Sequence, residues 1–333
     1  MKALLVGAAL LASTMTAPAL AQDAGQASDE EQVIVQGARA EQVRAFVTAL
    51  TPPMSRRSKM SRWNGPLCLG VTGIQAAQAQ AMNDRIGEIA DSVGIPVQGP
   101  GCRPNVLIYF AADGNSFAAS LAQQSGLVSA NGETGNSLGR DALRDFVNTP
   151  RAVRWWHVSV MATDGFVFGR TNNGSALRGD IQEEVDPNGQ SAQEEHDNAM
   201  NDRDAGQYTN AVRVRDVSRL RSAVNEQFDR VLIVVDGNQV RQTRLASIAD
   251  YIAMVTLAQI NPDAELATPS ILSLFSSAAA KPEAITDWDL SYLQGLYRTS
   301  IDARNVGQQE RQIVQSMMQS PNERSASPAA QIP

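Results

Sequence analysis

The apolar positions change period several times along the chain, and each change marks an element. Ala40 to Leu50 sets Val43, Phe46, Val47 and Leu50 at helical spacing, and Pro52-Pro53 stops that helix. From Trp63 the pattern is that of a folded unit. Pro66 to Val71 reads as a strand, Gln75 to Ser92 as a helix with Met82, Ile86 and Ile89 on one face, and Gly94 as its C-terminal cap. Pro104 to Phe110 is a continuous apolar run, the pattern of a buried strand, and Asp113-Gly114 reads as a turn. Strand, helix, strand at these lengths predicts two parallel neighbours joined by a right-handed crossover. Ser116 to Gln124 and Arg140 to Val147 read as short amphipathic helices, and Ala152 to Val160 as a third strand.

The character changes after Gly165. From about Asn172 to Asn210 the chain carries Gly, Asn, Asp, Glu and Gln with almost no large apolar side chain, which predicts a mobile acidic surface insertion. A strong strand follows at Arg230 to Asp236, ended by Gly237-Asn238. Thr243 to Gln259 carries Leu245, Ile248, Ala249, Ile252 and Val255 at helical spacing, and Asn261-Pro262 ends it. A second helix opens at Thr286-Asp287-Trp288-Asp289, a Thr-x-x-Asp capping box, with Leu290, Leu293, Leu296 and Tyr297 on the apolar face, and the chain reads as helical until Gln319. These elements predict an α+β fold, a mixed twisted sheet with packing helices, in one domain over residues 63–318 with a polar tail at 319–333.

The first residues have a different purpose. Lys2, the apolar run Ala3 to Leu11 and the small-residue sequence Ala17-Pro18-Ala19-Leu20-Ala21 before Gln22 form the three parts of a secretory signal peptide over residues 1–21. The expected location is therefore periplasmic or secreted. Residues 22–62 read as a disordered lead followed by the short helix. Within the lead, Val33-Ile34-Val35-Gln36-Gly37-Ala38-Arg39 resembles the Val-Val-Thr-Gly-x-Arg stretch near the mature N-terminus of exported outer-membrane receptors, and is read as a short strand or as a leader feature shared with them. No other segment is long and apolar enough to span a membrane.

Charge narrows the partners. With 28 Lys+Arg against 35 Asp+Glu and a net charge of −7, signs interspersed, the chain has no footprint for nucleic acid or anionic lipid. The two cysteines, Cys68 and Cys102, border neighbouring strands in a compartment where disulfides persist, so they are expected to pair. The bond would close a loop of about 34 residues and contribute roughly 3–4 kcal/mol. A metal site built on two thiols lacks further ligands, since His157 and His196 are the only histidines.

The C-terminal half carries a resemblance. Its strand, its helix, the loop Pro269-Ser270-Ile271-Leu272-Ser273-Leu274-Phe275 and a closing helix of the form Ile-Thr-x-x-Asp-x-x-x-Leu-x-x-Leu-Tyr (Ile285 to Tyr297) resemble the C-terminal half of zincin metallopeptidases over Arg230 to Tyr297. They also resemble an uncharacterised family of exported proteins from Gram-negative bacteria. The resemblance implies a zincin-like C-terminal half. Zincin chemistry needs His-Glu-x-x-His, two ligands one helical turn apart and a carboxylate to activate the metal-bound water. Here Ala249-Asp250-Tyr251-Ile252-Ala253 stand at those positions, so the ligands are missing and the resemblance implies a pseudo-enzyme with no cofactor.

Other chemistry is sparse. Trp155 and Trp156 point to opposite faces of a strand, and with His157 they are candidate binding residues beside a groove; the competing readings are core packing for one tryptophan with edge cover for the other, and a partly buried strand histidine satisfied by a hydrogen bond. The acidic run Glu183, Glu184, Asp186, Glu194, Glu195, Asp197, Asp202 and Asp204 lacks calcium-loop spacing and reads as solvated surface. No nucleophile elbow, phosphate-binding loop or dinucleotide fingerprint is present. Two classes of function follow. The first is a non-catalytic binding or structural protein holding a peptide or a cell-envelope partner. The second is a secreted hydrolase using carboxylates such as Asp113, Asp164 or Asp250.

Overall fold

The computed structural model describes residues 24–54, 58–124, 139–163, 166–168, 222, 225–277 and 281–319. The expected signal peptide, the expected acidic insertion, His196 and the tail beyond 319 lie outside the described residues. Two units divide the chain, Met1–Glu41 and Gln42–Pro333. The described part of the first is helical. It belongs to α1, which runs over Ala24–Leu50.

This corrects two expectations. The stretch read as a disordered lead with a strand at Val33–Arg39 is helix. A lone strand has no partner to satisfy its backbone, whereas Ala, Gln and Glu favour a helix that satisfies its own. The larger unit also begins at Gln42 rather than at Trp63, because Val43, Phe46, Val47 and Leu50 are buried in its main core.

In that unit the order is β1 (Leu69–Thr72), α2 (Ala76–Ser92), β2 (Val106–Ala111), α3 (Gly114–Gln124), α4 (Gly139–Asn148), β3 (Val153–Thr163), β4 (Phe166–Phe168) and β5 (Asn225–Asp236). Then come α5 (Leu245–Leu257), a single 3-10 turn at Ile271–Ser273, α6 (Asp287–Arg298) and α7 (Val306–Met318). The sheet runs β1-β2-β5-β3-β4. β1, β2 and β5 are parallel, with Val71 beside Ile108 and Ile108 beside Ile233; β3 and β4 run antiparallel to their neighbours. The fold is α+β with a mixed sheet, as the sequence predicts.

Both faces of the sheet are covered, which is why Val231 to Val235 can be an unbroken apolar run. Val106, Ile108, Val231, Ile233 and Val235 join the main core with α2, α5, α6 and α7. Leu232, Val234 and Trp156 face the other way, onto Ala118 of α3 and Phe146 of α4. The chain leaves β1 through Gly73, at φ +88°, where a Cβ would lie 2.1 Å from the Phe110 carbonyl oxygen, so only glycine makes this turn into α2. Cys68 and Cys102 are disulfide-bonded with Cα atoms 6.0 Å apart, tying the start of β1 to the loop before β2.

Candidate functional site

α5 forms because its apolar stripe meets the sheet. Ser247 to Ile260 are all buried, and two contacts lock the helix to β3: Tyr251 meets Trp155 edge-on at 6.2 Å, and the Val255 carbonyl accepts a hydrogen bond from His157 Nε2 at 2.7 Å. Ala249 and Ala253, one turn apart, are both 0% exposed in the main core. Asp250 is 2% exposed and points to α2, where Arg85 donates Nε to Oδ1 at 2.5 Å and Nη2 to Oδ2 at 3.0 Å. Oδ2 also accepts the Ile285 backbone N–H at 2.8 Å. The Asp250 hydrogen bonds hold Arg85 in its charged form.

A zinc ion does not fit these residues. Two methyl groups stand at the positions where the zincin resemblance would call for imidazoles, and the carboxylate between them is engaged by an ion pair and a backbone donor. Among the described residues no group of three or more His, Cys, Asp or Glu is placed to hold a metal.

The loop and closing helix meet through one buried carboxylate. Asp289 accepts from Ser270 Oγ at 2.5 Å, Ile271 N at 2.8 Å, Thr286 N at 3.0 Å and Thr286 Oγ1 at 2.8 Å. The capping box read from the sequence is thus formed, and it also ties the 3-10 turn to α6. Burial nevertheless raises the Asp289 pKa above the ordinary carboxylate range, the hydrogen bonds opposing it.

Trp155, Trp156 and His157, the candidate binding residues, are turned inward to different degrees. Trp156 packs on Phe146 under α4, and Trp155 is half-buried beneath Tyr251. His157, 2% exposed, stacks on Phe228 with ring centroids 4.7 Å apart. Burial drives its pKa down to about 4, so the imidazole is neutral, with Nε2–H donating and Nδ1 buried without a partner. All three side chains face inward because β3 is an interior strand covered on both faces.

The carboxyl ends of parallel strands are where sheets of this kind usually hold ligands, often on a helix N-terminus. Here that position is filled by the protein itself. Asp236, ending β5, accepts the Gly114 N–H that opens α3 at 3.0 Å, and Asp113 accepts from Asn115 N at 2.9 Å and from Ser116 Oγ at 2.6 Å. The Ser116 hydrogen bonds hold Asp113 below the usual carboxylate range, so this candidate hydrolytic residue serves as a helix cap. Asp164 lies outside the described residues.

One opening was not foreseen. A cleft of about 350 Å³ lies where residues 62–66 meet the loop 93–96 after α2 and Tyr297 of α6. Its floor is anchored: Trp63 Nε1 donates to the Thr256 carbonyl at 2.8 Å, and Tyr297 donates its hydroxyl to the Leu257 carbonyl at 2.7 Å. Arg62 lines it, with Nη1 donating to the carbonyls of Leu296 at 2.5 Å and Thr299 at 2.9 Å. A cation suits the C-terminal end of α6, whose carbonyls have no further helical partner. The local signal was the run Arg62-Trp63-Asn64-Gly65-Pro66, whose Gly-Pro turn breaks the apolar pattern just before β1.

No family model matches the chain, and no curated protein or solved structure is significantly similar to it.

Proposed function

We propose that this is an exported, disulfide-bonded protein of the periplasm or extracellular space, with a zincin-like C-terminal half that has lost its metal chemistry and serves as a binding or structural module of the cell envelope. The observation that carries this reading is the state of the Ala249-to-Ala253 turn. Both ligand positions are methyl groups packed in the core, and Asp250 is a structural partner of Arg85 rather than a base facing a reacting atom. The Cys68–Cys102 bond suits an oxidising compartment, and no helix among the described residues is long and apolar enough to cross a membrane. Binding requires none of the missing residues, whereas hydrolysis requires an activated nucleophile that neither Asp113 nor Asp250 is placed to generate.

The test is elemental analysis of the mature, oxidised protein, purified without chelator or affinity-tag histidines, together with a peptide-hydrolysis assay on the same sample. The expected result is metal far below one equivalent and no cleavage. Stoichiometric zinc, or cleavage abolished by chelator, overturns the reading.

A further inference from the structure

Arg62, which lines the cleft, has a donor edge that the fold does not use. Among the described residues, all hydrogen bonds of the Arg62 guanidinium are made by Nη1, to the carbonyls of Leu296 and Thr299 and to Thr299 Oγ1. Nε and Nη2 have no protein partner among the described residues, and neither is among the buried unsatisfied atoms, so both are reached by solvent. These two N–H groups form the parallel fork that matches the two oxygens of a carboxylate. Arg62 makes no ion pair among the described residues, and burial pulls its pKa down with no carboxylate to offset it. Among the described residues, the other arginines whose electrostatics burial disturbs, Arg85, Arg151 and Arg154, have acidic groups among their influences.

We infer that the cleft is a carboxylate-binding site, taking an acid that carries an apolar group, either a small free acid or the C-terminus of a peptide. The Nη1 anchor fixes the guanidinium plane in advance, so little rotamer freedom is lost when the second edge is engaged. Trp63, Ile95 and Pro96 line the same opening and supply apolar contact beside the charge. The volume, about 350 Å³, is at the small end of the ligand-site range and suits one or two residues rather than a long segment. This deepens the binding reading above and rests on it.

The experiment is a titration of the ¹⁵N-labelled, oxidised mature protein, followed by the Arg62 Nε, Trp63 Nε1 and Gly94 amide resonances. The probes are N-acetyl-Ala-Ala-Leu, the same peptide as its C-terminal amide, and acetate. The free acid should shift these resonances saturably, with the amide at least about tenfold weaker because it cannot meet a charged fork with a charged acceptor. Acetate binding as tightly as the peptide identifies a small acid as the ligand; binding of the peptide alone identifies a C-terminus. Equal response to acid and amide, or no response, overturns the site. Arg62→Gln should abolish the acid response, but Nη1 also holds the end of α6, so Asn64→Asp serves as the second variant. Asn64 is exposed at the rim, and the substitution adds a repelling charge without removing a contact. It should weaken acid binding about tenfold and leave the amide unaffected. Zinc or peptide cleavage in the same sample overturns the binding-protein reading. A metal-free protein that treats acid and amide alike overturns this site alone.

Discussion

Arg85 on α2 grips both carboxylate oxygens of Asp250 on α5, at 2.5 and 3.0 Å, and so joins two of the helices that cover one face of the sheet. Asp250 is buried, while the Arg85 side chain is 35% exposed. Arg85→Met therefore leaves a buried carboxylate with only the Ile285 N–H, and should cost about 3 kcal/mol, the low end of the range for breaking a buried pair because water reaches the arginine side. Urea unfolding measures it. A double variant, Arg85→Met with Asp250→Leu, should recover more than half of the loss; no recovery would mean that the pair is not the source of the cost.

Much of this architecture is legible in the sequence because it depends on local pattern. The strand at Arg230 to Asp236, the helix over Ile248 to Val255 and the capping box at Thr286 are each fixed by periodicity or by a side chain three residues away, and each is found. The N-terminal helix is longer than its apolar stripe because helix propensity carries no spacing signal. β4 was missed since Phe166 to Phe168 is too short to show alternation. The inward placement of Trp155 and His157 depends on what lies over β3, which is α5, about a hundred residues later in the chain. The cleft is least legible of all: Arg62, Ile95 and Tyr297 converge only through tertiary structure.

His157 makes folding sensitive to acid. In the unfolded chain its imidazole takes a proton near pH 6.5, whereas in the folded core it resists protonation down to about pH 4. Across that window the unfolded state binds more protons, so stability falls as pH falls, by roughly 3 kcal/mol from this group alone. Unfolding free energies at pH 7.5, 5.5 and 4.5 test this. Their slope should be reduced in His157→Gln, whose amide can still donate to the Val255 carbonyl but does not titrate. An unchanged slope would assign the acid sensitivity to other groups.

The Cys68–Cys102 bond closes a loop with a sequence separation of 34. Replacing both cysteines by serine should lower stability by about 3 kcal/mol, chiefly by releasing the unfolded chain. The β1–β2 register should persist, since Val71 and Ile108 remain paired within the core sheet. The urea midpoint reports the first effect and amide exchange of β2 the second. Loss of protection in β2 with β5 intact would show that the disulfide, rather than strand pairing, holds β1 in place.

Asp289 tests whether a buried charge or a buried shape joins the 3-10 turn to α6. Its two oxygens receive four donors from Ser270, Ile271 and Thr286; an alanine takes the acceptor from the Ser270 hydroxyl and from the Ile271 and Thr286 N–H groups, while the Thr286 hydroxyl still reaches the Pro269 carbonyl. Asp289→Ala should therefore cost about 3–4 kcal/mol, the combined penalty of orphaned buried donors and a lost helix cap. Asp289→Asn keeps the size and one carbonyl acceptor but turns the second oxygen into a donor facing donors, so it should recover little of that loss. Because burial raises the pKa of this acid, protonation in the folded state is easier than in the unfolded chain, and its contribution should make the wild type relatively more stable as pH falls towards the carboxylate range. That trend is opposite to the one from His157. Comparing wild type with Asp289→Asn below pH 5 separates the two: a gap that widens on acidification supports a protonatable Asp289, and a gap that narrows shows that the four donors hold it as a carboxylate despite its burial.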